Sequence, residues 1–590
     1  MDDASRLLKP GQSSRRIAYA PMSLREVSPL TLPLALIAHQ VFRRYETYRV
    51  AVHLSLLLAP PALVAAYVAR SQPYSAFLTV FGNAFLSYLA VLAISVVVYR
   101  LSPFHPLADY PGPVWRRVSM IGPAAATVSG NRHRTFADMH KRYGDIVRTG
   151  PNELSIVDPT FVEPLLGAGG LPKGPNHIGG NMSEDTNLVG IVDIPYHLQR
   201  RRPWNRGLKQ SALKEYEPLL AERAQLLVQR LGDQSGSADL GLWLKYFGYD
   251  FMCDMAFGGG SELLRNGDKN NVWAIIEEGM VVCTVLHTLP WLGIYLGKIP
   301  SVVKPMLLLQ ENGRQMAKAR LERGSKTRDL YHYLASSSSC CNEDLPDKRL
   351  PAIRELADDG ILTVVAGSDT ASMTMTNVFY CLLTHPEAYA KLQAEIDKFY
   401  PAGELASETK HHRDMHYLHA VINEALRLYP PVPLGSQRRV PHSGAPVVVG
   451  STYVVLPPGT VVYLPPWILH RDPRNFSFPD AFWPERWLIT SGQLRHEDAQ
   501  PPSSAKGATK MDISGFVHNE AAFTPFSIGP MNCPGKGLAM LEMRTVIVSL
   551  MKNFRFRLRD GWDPAKFEEG LKDYFLVARP ELPVTIERRL

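Results

Sequence analysis

The residue with the most chemical reach is Cys533, set in Phe526-Ser-Ile-Gly529-Pro-Met-Asn-Cys533-Pro-Gly535. It lies between glycines and prolines, just ahead of a helix-like run from Lys536 to Val546. Gly529 and Gly535 let the backbone turn sharply and approach a flat ligand closely. Backbone N–H groups of such a loop, and the positive end of the helix behind it, can hold a sulfur as an anion. A thiolate held this way is the axial ligand type that pushes electron density onto haem iron and favours O–O cleavage. Taken alone, the same residue reads first as a buried, inert cysteine, and the rest of the chain must overturn that.

Four other segments carry chemistry-bearing side chains. Glu424 and Arg427 in Val421-Ile-Asn-Glu-Ala-Leu-Arg-Leu-Tyr-Pro-Pro431 are spaced i, i+3 and share a helix face, and that helix should end before Pro430. As a surface pair they would be worth little, but Phe482-Trp-Pro-Glu-Arg486-Trp487 follows downstream. In the helical run Ile361 to Thr374, the stretch Ala366-Gly-Ser-Asp369-Thr370 puts glycine, acid and alcohol into an apolar helix. Gly367 would admit a ligand or widen the helix, Thr370 could bond back to the Ala366 carbonyl or help hold dioxygen, and Asp369 could pass protons through water. The plain alternative is a kinked helix with a solvated acid. Finally, His197-Leu-Gln-Arg200-Arg201-Arg202-Pro-Trp204-Asn-Arg206 is a basic, aromatic tract, either a solvated helix or a surface for an acidic partner.

In this order these segments resemble the cytochrome P450 family, over roughly residues 105–590. Phe-x-x-Gly-x-x-x-Cys-x-Gly is similar to its haem-binding loop, Glu-x-x-Arg and Pro-Glu-Arg-Trp to its core network, and residues 366–370 to its oxygen-activating helix. The resemblance implies a mainly α fold with a minor β part (α+β) and haem b with Cys533 as the axial iron ligand in a loop shaped by Phe526 and Gly529. It further implies a buried network of Glu424, Arg427 and Arg486, and proton guidance by Asp369 and Thr370. His197 and Arg201 have the spacing that grips a haem propionate, and Arg438 occupies a second propionate position with Arg439 as its near competitor. One departure stands out: many members carry Arg or His two residues before the cysteine, where this chain has Met531.

These groups must be positioned by the rest of the chain. Of 590 residues, 45% are hydrophobic, ample for a core, and the net charge of +8 is a mild excess without the basic, aromatic runs of nucleic-acid binders. Six scattered cysteines form no disulfide framework or zinc pattern, which points to a reducing compartment. Between Leu213 and Ile396 the periodicity is helical; Asp145–Val157 reads as two strands about a Thr149–Asn152 turn, and Val447–Leu464 returns to β-branched residues. Residues 336–348 and 491–513 have the composition of disorder. No internal repeat is evident.

The first hundred residues differ. Residues 76–99 carry no charge and are long enough to cross a hydrocarbon core of ~30 Å. Residues 51–69 are nearly as apolar, but Pro60-Pro61 leaves spanning and re-entrant readings open, giving an anchor of one or two helices over 51–100. The run 30–41 is too short to cross. Arginines at 43, 44 and 49 before the pair, and at 100, 116 and 117 after it, place residues 1–50 and the body in the cytosol. The proline-rich stretch 101–113 reads as a stiff, extended linker to a catalytic domain at 114–590.

The resemblance then implies a membrane-bound haem-thiolate monooxygenase of microsomal, fungal type in the endoplasmic reticulum, fed by an NADPH–cytochrome reductase. Its substrate would be a lipophilic small molecule, whether terpenoid, steroid, polyketide or polycyclic aromatic, in secondary metabolism or xenobiotic oxidation. A reductase-independent haem-thiolate isomerase or dehydratase, or a non-catalytic haem-binding membrane protein, are the rivals. The segment Val272 to Pro300 reads equally as channel lining or core.

Overall fold

The computed structural model describes residues 24–47, 49–71, 77–179, 187–234, 236–324, 328–336, 352–442, 447–449, 454–502 and 515–589. Of the two tracts of disorder-like composition, residues 337–348 and 503–513 lie outside these residues. The chain divides into two compact units, 1–108 and 109–590.

The first unit contains helices α1 (Leu24–Arg44), α2 (Val50–Ser71) and α3 (Phe77–Leu101). α2 and α3 are long and apolar enough to cross a membrane. Pro60-Pro61 does not interrupt α2. Pro60 has no N–H to give the Leu56 carbonyl one turn back, and the Tyr88 hydroxyl from α3 donates to that carbonyl instead, at 2.6 Å. After α3, residues 102–108 form successive turns rather than an extended strut, with bonds from Ser102 N to Tyr99 O, His105 N to Ser102 O and Ala108 N to His105 O. Pro103 and Pro106 fall between those donors, so their missing N–H groups break none of these bonds.

The second unit is mainly helical with small sheets. The expected hairpin forms as β1 (Ile146–Gly150) and β2 (Glu153–Ile156). These join β3 (Arg438–Arg439) and β4 (Val461–Tyr463) in a four-stranded sheet of order β1-β2-β4-β3, with β2 and β4 parallel. The longer helices of this unit include α4 (Ile194–Gly207), α5 (Gln210–Gly232), α6 (Leu240–Phe257), α7 (Val272–Thr288), α8 (Pro300–Arg323), α9 (Ile353–Thr384), α10 (His416–Leu428) and α11 (Lys536–Asn553). α10 stops two residues short of Pro430, as the proline requires.

The longest helix, α9, runs unbroken through 353–384 despite its glycines and alcohols. The hydroxyls stay inside the helix: Thr363, Ser368, Thr370, Thr374 and Thr376 each donate to the carbonyl four residues back, at 2.6–2.8 Å. Gly367 serves packing rather than a ligand, because a Cβ there would come within 2.4 Å of the Met252 Cε on α6. Phe247, Phe251, Met375, Phe379 and Ile422 are fully buried in the core that α6, α9 and α10 share. Val272–Pro300 divides between the two readings: Trp273 is buried 6.1 Å (ring centre to ring centre) from Tyr249, whereas Trp291 is exposed.

Candidate active site

Glu424, Arg427 and Arg486 meet with no exposure to solvent. Glu424 Oε1 accepts from Arg427 Nη2 (2.8 Å), Arg486 Nε (3.1 Å) and the Trp483 backbone N–H (2.9 Å). Its Oε2 accepts from Arg427 Nε (3.0 Å) and Trp487 Nε1 (2.9 Å). The remaining guanidinium hydrogens go to backbone carbonyls of His470, Pro479 and Ala481 from Arg427, and of Ser477 and Phe478 from Arg486. Burial alone would raise the Glu424 pKa; the two guanidiniums outweigh it and hold the carboxyl at about 2. This is a buried, fully bonded charge cluster and not a surface decoration.

His470 ties that cluster to the cysteine segment. Its Nδ1 lies 3.2 Å from the Arg427 carbonyl and its Nε2 accepts the Thr524 N–H at 3.0 Å, a pairing that requires the Nδ1–H tautomer. Burial, then Arg427, lowers its pKa to about 3, so it stays neutral. From Thr524 the chain turns through Phe526, whose carbonyl accepts the Cys533 N–H at 2.9 Å and closes the loop. Gly529 takes φ +71°, and a Cβ there would lie 2.1 Å from the Leu166 carbonyl oxygen, so only glycine fits.

Cys533 is exposed by area, yet burial raises its thiol pKa, so the sulfur opens into a recess of the fold. The Gly535 and Lys536 backbone N–H groups at the start of α11, together with Arg201 and the Lys536 charge, pull the other way. Arg201 reaches the residue before the cysteine, donating to the Asn532 carbonyl at 2.6 Å and to its Oδ1 at 2.5 Å. Met531 lies in a short 3-10 turn, Gly529–Met531.

Beside the loop stands a cluster of cations. His197 and Arg201 share one buried face of α4. Lys173 pairs across an isolated bridge with Arg438, and its Nζ donates to the carbonyls of Leu188 and Val189, both at 2.9 Å, and lies 3.4 Å from His197 Nδ1. Ser436 Oγ accepts from Arg438 Nη1 (2.9 Å) and lies 3.0 Å from His177 Nε2. Arg439 turns away to His442, so the geometry favours Arg438 over its neighbour. Among the described residues no carboxylate bonds to Lys173, Arg201 or Arg438. Burial and mutual repulsion hold Lys173 at about 7 and His197 at about 4, and burial holds Arg438 at about 10. His197 Nε2 is buried without a partner.

Asp369 and Thr370 make their contacts elsewhere on α9, a helix that also packs on α11. Thr370 bonds back to Ala366. Asp369 is half-buried, 3.9 Å from the fully buried Arg579, and burial raises its pKa against the pull of Arg579 and Lys245. It is therefore neither a solvated acid nor the cause of a kink.

A family model described as Cytochrome P450 matches residues 111–587. The chain belongs to the cytochrome P450 family. Similar proteins include the cytochrome P450 monooxygenase FCK2 of Fusarium pseudograminearum, 32% identical over 85% of this chain and 86% of that one. The cytochrome P450 monooxygenase orf5 of Eupenicillium brefeldianum is 30% identical over 87% of this chain and 97% of its own length. The tryprostatin B 6-hydroxylase of Aspergillus fumigatus is 28% identical over 85% and 84%. This P450 is an oxidoreductase of the monooxygenase type, and haem with a cysteine thiolate is the family's cofactor. The residues fit that group: a loop thiol with two N–H groups aimed at it, and an acid-free set of buried cations suited to carboxylates. Lys173, His177 and His470 escaped the sequence reading, because lone Lys and His residues outside a motif carry no spacing signal.

Proposed function

We propose that this P450 is a membrane-anchored monooxygenase that places one oxygen atom of O2 into a lipophilic small molecule in fungal secondary metabolism or xenobiotic oxidation. The observation that carries this reading is the Cys533 thiol beside a buried cation cluster with no acid of its own. When bound, the haem supplies oxygen activation, and the protein supplies ligand, proton path and pocket. Cys533 would hold the haem iron through its sulfur, and metal binding would deprotonate that thiol. His197, Arg201, Arg438 and Lys173 would hold the propionates, with Lys173 supplying a charge that Met531 does not. The bond from Arg201 to Asn532 fixes the ligand loop relative to that anion site. Glu424, Arg427 and Arg486, acting through His470, fix the loop from below. Thr370 and Asp369 hold and relay protons at Thr370 Oγ1 and Asp369 Oδ1, and burial raises the Asp369 pKa above that of an exposed carboxyl, which favours its holding a proton.

In this reading residues 51–100 carry the anchor in the endoplasmic reticulum and residues 114–590 form the cytosolic catalytic domain. Electrons come from an NADPH-dependent reductase on the same membrane. Of the basic tract 200–206, only Arg202 is an exposed arginine open to such a partner; Arg200 is committed to Asp359 at 2.7 Å and Arg201 to Asn532. A terpenoid, steroid, polyketide or polycyclic aromatic would suit a membrane-embedded enzyme, and a relative named as a tryprostatin B 6-hydroxylase supports insertion into a C–H bond. The test is the absorption spectrum of the reduced, carbon-monoxide-bound protein, followed by NADPH dependence with reductase. A thiolate-type Soret band that disappears in Cys533→Ala is expected. Its absence from folded, haem-loaded protein would overturn the assignment, and turnover without any reductant would replace oxygen insertion by isomerase or dehydratase chemistry.

A further inference from the structure

The helix α1 is built inside out for a water-soluble element. Its inward positions are Val27, Thr31, Ala35, Ala38 and His39, all buried, whereas its outward stripe holds Leu32, Leu36 and Ile37, with Ile37 61% exposed. The polar groups are spent on α3: Ser28 and Thr31 hydroxyls both meet Ser87 Oγ, at 3.0 and 2.9 Å. At the far end His39 packs edge-on against Tyr99, with ring centres 5.7 Å apart, and the Arg43 guanidinium lies over the same ring at 4.3 Å. The sequence offset between partners stays between 56 and 60 from one end to the other, so α1 lies parallel to α3 along their length. Small residues let the backbones approach, with Ala35, Ala38, Ala84 and Ser87 at the seams. Polar and small inside, large and apolar outside, is the pattern of a helix whose solvent is lipid.

Length agrees. α1 has 21 residues, about 31 Å of helix. Its charges are confined to the first and last turns, Arg25 and Glu26 at one end and Arg43 and Arg44 at the other. The uncharged stretch between them, about 24 Å, reaches a hydrocarbon thickness of ~30 Å once terminal arginines extend along their stems. Pro29 and Pro33, which lower the helix's apparent hydropathy, lie on the exposed face.

We propose that α1 is a third membrane-crossing helix, its outward face packed against acyl chains, so that the chain crosses three times and Met1 ends on the membrane face opposite Arg100. This rests on the reading that α2 and α3 span, and it moves residues 24–44 from the cytosolic segment into the anchor. Arginine counting alone favours a hairpin with both ends on one side. Against that count, a helix packed along the length of a spanning neighbour, with Leu32, Leu36 and Ile37 outward, offers water only Gln40 between its terminal turns.

The test is protease protection of the full-length protein carrying one epitope tag ahead of Met1 and another after Leu590, in sealed microsomes, alongside alkaline carbonate extraction. Opposite behaviour of the two tags in carbonate-resistant protein is expected, the N-terminal tag protected and the C-terminal tag digested. Carbonate-resistant protein with both tags digested, or both protected, would overturn the third span while leaving the anchor intact. Release of the protein by carbonate would overturn the anchor itself and the third span with it. Thr31→Leu should leave this sidedness unchanged, and Leu36→Arg with Ile37→Arg should expose the N-terminal tag.

Discussion

Removing the Glu424 carboxylate is the most demanding perturbation of the catalytic body. Five N–H groups converge on it, three of them from two guanidiniums with no solvent access. Glu424→Gln keeps the shape and removes the charge, leaving two buried cations without a counter-ion, a loss of about 3–5 kcal/mol. The pKa gives an independent figure. A drop from 4.5 to about 2 corresponds to about 3 kcal/mol of pH-linked stability. Because the folded-state pKa is depressed, that stability is complete above pH 4.5 and is lost as the pH falls through about 2. At neutral pH the variant's urea midpoint should fall by about 1 M for an m-value of roughly 3 kcal/mol/M or more, followed by tryptophan fluorescence and bound-haem absorbance. Arg474→Met, which breaks an exposed pair with Asp145, should cost no more than about 1 kcal/mol. A Glu424→Gln protein as stable as the Arg474→Met protein, with acid unfolding unchanged between pH 4.5 and 2, would refute the reasoning.

Lys173→Met should speed haem loss to an acceptor apoprotein. In wild type, haem uptake by the unliganded protein should weaken as pH rises above about 7, where the lysine gives up its proton, and the variant should lack that pH dependence. Tyr88→Phe strips the Leu56 carbonyl of its donor and should destabilise the anchor helices by about 1 kcal/mol, read from thermal loss of helicity in detergent. Asp369→Asn should cut reductase-supported turnover about 100-fold and peroxide-supported turnover much less, because peroxide brings its own protons; equal losses would place Asp369 with Arg579 as a structural pair.

What the sequence made legible was whatever leaves a spacing. The Glu-x-x-Arg pair, Arg486 and the cysteine loop were readable because their partners lie at fixed offsets, and the hairpin at 146–156 because its turn residues have backbone preferences. The continuity of α2 was not readable, because the group that satisfies Leu56 sits 32 residues away on another helix. The ligand approach or widening expected at Gly367 does not occur for a similar reason: the space glycine leaves is taken by Met252 of α6. Lys173 became visible only through its bridge to Arg438, and the face that α1 turns outward only through its bonds to Ser87.

The imidazole of His470 has a wider consequence. One ring nitrogen takes its position from the carbonyl of Arg427 and the other gives a position to the amide of Thr524, so the ring is a rigid shim of fixed thickness between the charge cluster and the segment that leads to Cys533. Heights set by a shim do not depend on the roof. The helices over the opposite side of the site can therefore diverge to suit new substrates without resetting the sulfur, whereas any residue at 470 that is shorter, longer or charged changes the datum from which every reaction of this enzyme is measured.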